Sequence, residues 1–296
     1  MLRNSFVFLP KVRLATEKKI WSQGVRDWND FLDAKKVKGF SAARKEAAHG
    51  KIKEFKRELL DENLNYLSKN IPLGEQWRLY DTFRDEAVFL DIETNGYYGG
   101  ITVIGLYDGN DTKTFVRGYN LDKVLVERAL EKYKMVVTFN GASFDLPVIE
   151  RFFGLRIRKP HVDLRHVCAK IGLHGGLKSI ERQLGIHRAE EVAGVAGSDA
   201  VYLWEQFRAT KDPDYLNLLL KYNEEDIVNL KPLADYAVRE LWRRTFINRV
   251  RSERINENDV CARQEHDGSR NSGQREEEVA QENRHCHEHS VRAPHS

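Results

Sequence analysis

The chain has 296 residues, 41% of them hydrophobic and 31% charged, with a formal net charge of +3. That length suits about two domains, and apolar runs such as residues 87–90 fall far short of the ~20 residues that cross a bilayer, so no membrane partner is expected. Cys168, Cys261 and Cys286 are too widely spaced for a disulfide framework, and basic residues directly follow the short apolar stretch 6–10, which excludes a secretory leader there; a cytoplasmic, reducing setting is expected.

Charge is unevenly placed. Residues 1–80 hold 17 Lys and Arg against 10 Asp and Glu, residues 81–248 hold 23 against 25, and residues 249–296 hold 8 against 10. A basic first part beside a mildly acidic middle suits a polyanion partner for the one and a cation site in the other, although an ordinary solvated surface gives the same counts. Residues 1–80 are expected to form a basic α-helical extension. Its start, from Phe8-Leu9-Pro10-Lys11-Val12 to Trp28-Asn29-Asp30-Phe31-Leu32, resembles a helix-hairpin-helix element. Lys11-Val12-Arg13 stands where that element has a glycine-rich turn, so the segment either grips phosphate or docks through Trp21, Trp28 and Phe31 as core. Residues 41–69 read as one long helix, with Ile52, Phe55, Leu59, Leu60, Leu64 and Leu67 near helical spacing. Lys35, Lys36, Lys38, Arg44, Lys45, Lys51, Lys53, Lys56 and Arg57 give this region a basic surface suited to phosphate contacts.

From residue 86 the period changes to two. Strands are expected over 87–93, 101–107 and 112–116, joined by turns at Asn95-Gly96, Gly99-Gly100 and Asp108-Gly109, which makes an antiparallel meander. A helix over 121–134 leads to a buried strand over 135–139 closed by Asn140-Gly141. Helices over 144–152, 164–171, 177–184, 200–208 and 215–239 follow, with a short strand at 161–163. The expected class is α/β, a mixed sheet with flanking helices over residues 81–248. Residues 249–296 contain no Lys, Phe, Tyr or Trp and are expected to be a disordered charged tail. The run His285-Cys286-His287-Glu288-His289 carries soft-metal ligands without a periodic scaffold to hold them.

Four acids stand out. Period two puts Asp91 and Glu93 on one face of the first strand, with Leu90 and Ile92 on the other. Two adjacent carboxylates repel, and a divalent cation offsets that repulsion economically. Asp145 lies where a strand passes into a helix, a position that either faces a ligand or caps the helix. Tyr222 and Asp226 are four residues apart on a helix and share one face, one turn apart.

The order Asp-x-Glu, then Asn-Gly-x-x-Phe-Asp, then Tyr-x-x-x-Asp resembles the DEDD exonuclease superfamily, in its tyrosine-containing branch, on a ribonuclease-H-like fold, across about residues 83–236. Val162-Asp163-Leu164 and the stretch Gly176-Leu177-Lys178-Ser179-Ile180-Glu181 are similar to its proofreading members. Phe139-Asn140-Gly141 and Tyr222-Asn223 are similar to the YprB-type ribonuclease-H-like group of bacteria and archaea. The resemblance implies a 3′→5′ exonuclease acting on the 3′ end of a nucleic acid, DNA or RNA. Asp91, Glu93, Asp145 and Asp226 would hold two divalent cations, Mg²⁺ or Mn²⁺, and Tyr222 would orient the attacking water. It also implies that Thr94 meets the terminal nucleotide. Phe144 either stacks on a base or belongs to the core, and Asn140 either bonds substrate or simply makes the turn. Asp163 reads as a helix cap, and His161 and His166 as structural. Two rivals share the fold. A non-catalytic nucleic-acid-binding module would lack one of the acids, and a ribonuclease-H-type endonuclease on RNA–DNA hybrids would cut a circular substrate.

Overall fold

The computed structural model describes residues 1–96, 100–195 and 197–247. The expected disordered tail, with its His285 to His289 run, lies outside the described residues.

Short helices open the chain: α1 (Leu14–Trp21), α2 (Trp28–Asp33), α3 (Ala42–Leu60), α4 (Leu64–Asn70) and α5 (Tyr80–Phe83). The single helix expected over 41–69 is two helices. Glu62 adopts a left-handed φ of 50°, and the Asn63 side chain accepts the Tyr66 N–H at 3.1 Å to start α4. Asp61-Glu62-Asn63 thus supplies a terminator and a fresh N-cap in the middle of an apolar period. Leu60, at the break, is left 69% exposed. Trp21, Trp28 and Phe31 are buried. Phe8 stacks on Phe55 at 3.9 Å between ring centroids, and Trp21 meets Trp242 edge-on at 6.0 Å.

The sheet has five strands in the order β3-β2-β1-β4-β5. β1 (Ala87–Thr94), β2 (Ile101–Tyr107) and β3 (Thr112–Val116) form the antiparallel meander, and β4 (Met135–Thr138) and β5 (His161–Asp163) add in parallel beyond β1. Parallel pairs need crossover connections. Here α6 (Lys123–Glu131) precedes β4 and α7 (Asp145–Phe153) follows it.

Alternation along β1 divides the core. Val88, Leu90 and Ile92 pack with Val126, Ala129 and Leu130 of α6 and with Val148 and Ile149 of α7. Ala87 and Phe89 point the other way. They share a cluster with α8 (Leu164–Lys170), with the last half of α12 (Pro213–Trp242) and with the N-terminal helices. Between α8 and α12 come α9 (Leu177–Leu184), α10 (Glu190–Ala193) and α11 (Gly197–Thr210). Ala200, Leu203 and Trp204 of α11 close a third cluster over Val103, Val116 and the start of α12. The arrangement is an α/β fold with helices on both faces of a mixed sheet. Among the described residues no helix is long and apolar enough to cross a membrane.

Candidate active site

Asp91 and Glu93 stand on the β1 face that α12 crosses, as period two requires. The β1–β2 register shifts between Glu93 and Thr94, a bulge that ends regular pairing beside the acids. On α12 the buried stripe runs Leu216, Leu219, Asn223, Asp226, Leu230, Leu233 and Ala237, at helical spacing. Its polar members face the sheet where β1 presents its carboxylates. One oxygen from each of Asp91, Glu93 and Asp226 lies within 4.8 Å of the others. Asn223, next to Tyr222, donates from Nδ2 to Asp91 Oδ2 at 2.9 Å.

Asp145 is the second residue after the Asn140–Ser143 turn and the first of α7. Phe144 occupies the N-cap position without a side-chain cap bond. The Asp145 carboxylate instead accepts the Ile92 N–H at 3.2 Å, which ties it to the strand between Asp91 and Glu93.

The loop ahead of α7 is held by Asp163, which accepts the N–H groups of Asn140 (2.8 Å) and Ala142 (3.1 Å) and also that of Arg165 (3.0 Å) at the start of α8. Asn140 takes a left-handed φ of 68°, and its Oδ1 accepts from Arg165 and Ser143. Gly141 leaves room for Thr138, whose Oγ1 would lie 2.2 Å from an added Cβ. Phe144 is half-buried against the cluster under α6 and α7. Thr94 Oγ1 donates to the Gly96 carbonyl at 3.2 Å. Thr94 and the Asn140–Phe144 segment leave the sheet at the same end of the parallel pair β1 and β4, the end where such sheets place ligands. His161 is tucked against Thr138 Oγ1 at 2.8 Å, and burial lowers its pKa.

Burial is the largest influence on the titration of each of the four acids. Burial, followed by the charges of Asp145, Asp226 and Glu93, pushes Asp91 well above the usual carboxylate range, against the Asn223 hydrogen bond. Burial and the charges of Asp226 and Asp145 do the same to Glu93, with Lys178 opposing. Asp145 is pushed up to about 7 by burial, with its own N–H and that of Ile92 opposing. Burial raises Asp226, and Arg188 opposes it. Buried carboxylates that repel each other are costly unless a cation joins them. The donors are all oxygen, the preference of hard ions such as Mg²⁺ and Mn²⁺. The residues present therefore fit a divalent metal centre.

Three basic or polar partners were not legible as site residues. Arg188 Nη2 meets Asp226 Oδ1 at 2.5 Å, and the Arg188 Nε and Nη2 meet Glu181 at 2.6 and 2.7 Å. Lys178 Nζ sits 4.3 Å from the centre of the Tyr222 ring, buried and without a hydrogen-bond partner among the described residues. The signal for Lys178 and Glu181 was the resemblance of the stretch they stand in. Arg188 has no local signal for the site, because Asp226, the acid it meets there, is 38 residues away along the chain.

A family model described as the RNase_H superfamily matches residues 88–238. A Bacillus subtilis (strain 168) relative, "Uncharacterized protein YprB", is 28% identical over 193 residues, which is 57% of this chain and 46% of that protein. The chain thus spans less than half the length of that relative. Among solved structures, the family B DNA polymerase of the hyperthermophilic archaeon Pyrobaculum calidifontis matches with a TM-score of 0.40 and 16% identity, over 51% of this chain and 24% of that one.

Proposed function

This chain belongs to the RNase_H superfamily, and from that premise we propose that it is a metal-dependent nuclease, a 3′→5′ exonuclease of the tyrosine-containing DEDD kind. The observation that carries the reading is the meeting of Asp91, Glu93 and Asp226 oxygens within 4.8 Å, with Asp145 tied to the strand between the first two.

Asp91, Glu93, Asp145 and Asp226 would hold two Mg²⁺ or Mn²⁺ ions. Such a pair, when bound, supplies an acidified water and stabilises the charge on the attacking and leaving oxygens of an in-line displacement at phosphorus. The protein's own part is positional. Asn223 fixes one oxygen of Asp91, and the Ile92 N–H fixes Asp145. Tyr222 is buried, and burial with the charges of Asp226, Glu93 and Asp91 raises its pKa. Its phenol therefore keeps its proton at neutral pH and orients the attacking water by hydrogen bonding without acting as a base.

Thr94, Asn140 and Phe144 are the proposed contacts to the terminal nucleotide, since they flank the strand ends that carry the acids. The remainder of the strand is assigned to the basic surface of residues 1–80, where Lys35, Lys36, Lys38, Lys53, Lys56 and Arg57 are exposed. Phosphate contacts of this kind bind DNA and RNA alike. In this division of labour residues 81–248 hydrolyse and residues 1–80 grip, and the setting is the cytoplasm.

The test is digestion of 3′-labelled linear single strands, DNA and RNA, beside circular strands, with Mn²⁺ or Mg²⁺. The expected result is release of mononucleotides from linear strands, abolished by chelation and by Asp226→Asn, with circles untouched. Cutting of circles would replace the exonuclease reading with an endonuclease one. Binding without cleavage in every arm would reduce the protein to a nucleic-acid-binding module.

A further inference from the structure

Three of the four acids are fastened to the sheet. Asp91 and Glu93 are part of β1, and Asp145 accepts a β1 N–H. Asp145 opens α7 but is pinned to β1 by that bond, whereas Asp226 stands inside α12, and something must set its carboxylate against the others. Arg188 does touch it, Nη2 to Oδ1 at 2.5 Å. Arg188 is in turn clamped by Glu181 of α9 through two parallel contacts of 2.6 and 2.7 Å. The Arg188 and Glu181 side chains are only 5% and 2% exposed.

A buried acid–base–acid chain is a poor way to gain stability, since desolvation of three charges consumes most of the attraction. It is a good way to fix direction. The guanidinium is a rigid planar fork, so its orientation by one carboxylate dictates where its remaining N–H groups point. One Asp226 oxygen held by Arg188 leaves the other to a cation. Outer partners of this type commonly decide how well a metal ligand binds.

We propose that Arg188, aimed by Glu181, is the positioning residue of the metal centre, holding the helix-borne carboxylate of Asp226 in register with the acids of β1. This rests on the metal-centre reading given above. It adds a residue outside the acidic set, and it predicts a hierarchy in which loss of Glu181 costs less than loss of Arg188.

The experiment is calorimetric titration of the full chain with Mn²⁺ in the absence of nucleic acid, paired with nuclease rates across a Mn²⁺ series. Arg188→Met is expected to weaken Mn²⁺ binding about 10–100-fold and to recover most of its kcat at high Mn²⁺, so that the metal requirement moves more than the chemistry does. Arg188→Lys, which keeps charge without the fork, falls between it and the wild type. Glu181→Gln shows a smaller loss in the same direction. Glu181→Gln and Arg188→Lys decide the matter if Arg188→Met does not fold. Folded variants that bind Mn²⁺ as the wild type does would overturn the inference and leave the metal centre standing. A wild type that binds no Mn²⁺, or an Asp226→Asn protein that binds it equally well, would overturn the metal centre itself.

Discussion

Gly105 lies directly across the β1–β2 ladder from Asp91, and a Cβ at that position would stand 2.2 Å from Asn223 Oδ1. The missing side chain on β2 is the space into which α12 inserts its amide. From that space Asn223 Nδ2 reaches Asp91 Oδ2 at 2.9 Å. Gly105→Ala should therefore displace Asn223 and release Asp91. Overpacking of a closed interior costs about 1–3 kcal/mol, and loss of an outer partner weakens a metal ligand about 10–100-fold. Thermal melts and a Mn²⁺ titration of activity are expected to show both losses in this one variant. Asn223→Ala should show the second with little of the first.

The acids give metal binding a defined pH sense. Asp145 is pushed up to about 7 in the folded protein, from an ordinary value of 3.8. Between about pH 4 and 7 the folded state thus holds more protons than the unfolded one, and metal-free stability falls as pH rises through that window. A cation binds the ionised acids, so its affinity climbs over the same range. Mn²⁺ at about 100 times its Kd adds about 2.7 kcal/mol, or roughly 5–10 °C in Tm for a chain of this size. That shift is expected at pH 8 and should shrink to near nothing at pH 5, as differential scanning calorimetry with and without Mn²⁺ can show.

Asp91→Asn should separate function from stability. The residue's charged form is disfavoured first by burial and then by repulsion from Asp145, Asp226 and Glu93, so a neutral isostere relieves the metal-free fold. A gain of about 0.5–2 kcal/mol is in the range that such relief commonly yields. Activity should fall by more than the roughly 100-fold that an outer partner is worth. A melt in the presence of a chelator checks the gain, and a labelled-strand digest checks the loss. An Asp91→Asn protein less stable than the wild type under chelation would contradict the repulsion.

How much was legible follows from the range of the interactions concerned. Alternation in β1 is local, and it placed Asp91 and Glu93 on one face and Leu90 and Ile92 on the other, which the clusters around Phe89 and Leu90 reproduce. The limits 101–107, 112–116 and 161–163 stand as read; turn residues separate the first two strands. The break after Leu60 is hidden because apolar spacing continues across it, while the determinants are the backbone at Glu62 and the side chain of Asn63. Asp145 was ambiguous because a carboxylate at a helix start suits capping and ligation equally. Its contact with the Ile92 N–H, 53 residues back along the chain, is one that no local pattern announces. Arg188 was invisible for the same reason, since nothing near it in sequence says that Glu181 and Asp226 converge on it.

Tyr222→Phe isolates the phenol. The ring would keep its place beneath Lys178 Nζ, now 4.3 Å from its centre, so packing and metal binding should be unchanged. On the proposed mechanism, what is lost is one hydrogen bond to a water that is becoming charged. Such bonds are worth about 1.5–3 kcal/mol, which at 1.36 kcal/mol per factor of ten is roughly a 10–150-fold drop in kcat. The phenol pKa is raised by burial and by three neighbouring carboxylates, so the wild-type rate should show no alkaline limb from Tyr222 below about pH 10, the usual range of a tyrosine. Stopped-time digests from pH 6 to 10 on both proteins would show parallel profiles offset by that factor. A wild-type advantage that grows through alkaline pH would mean that the tyrosinate acts as a base after all.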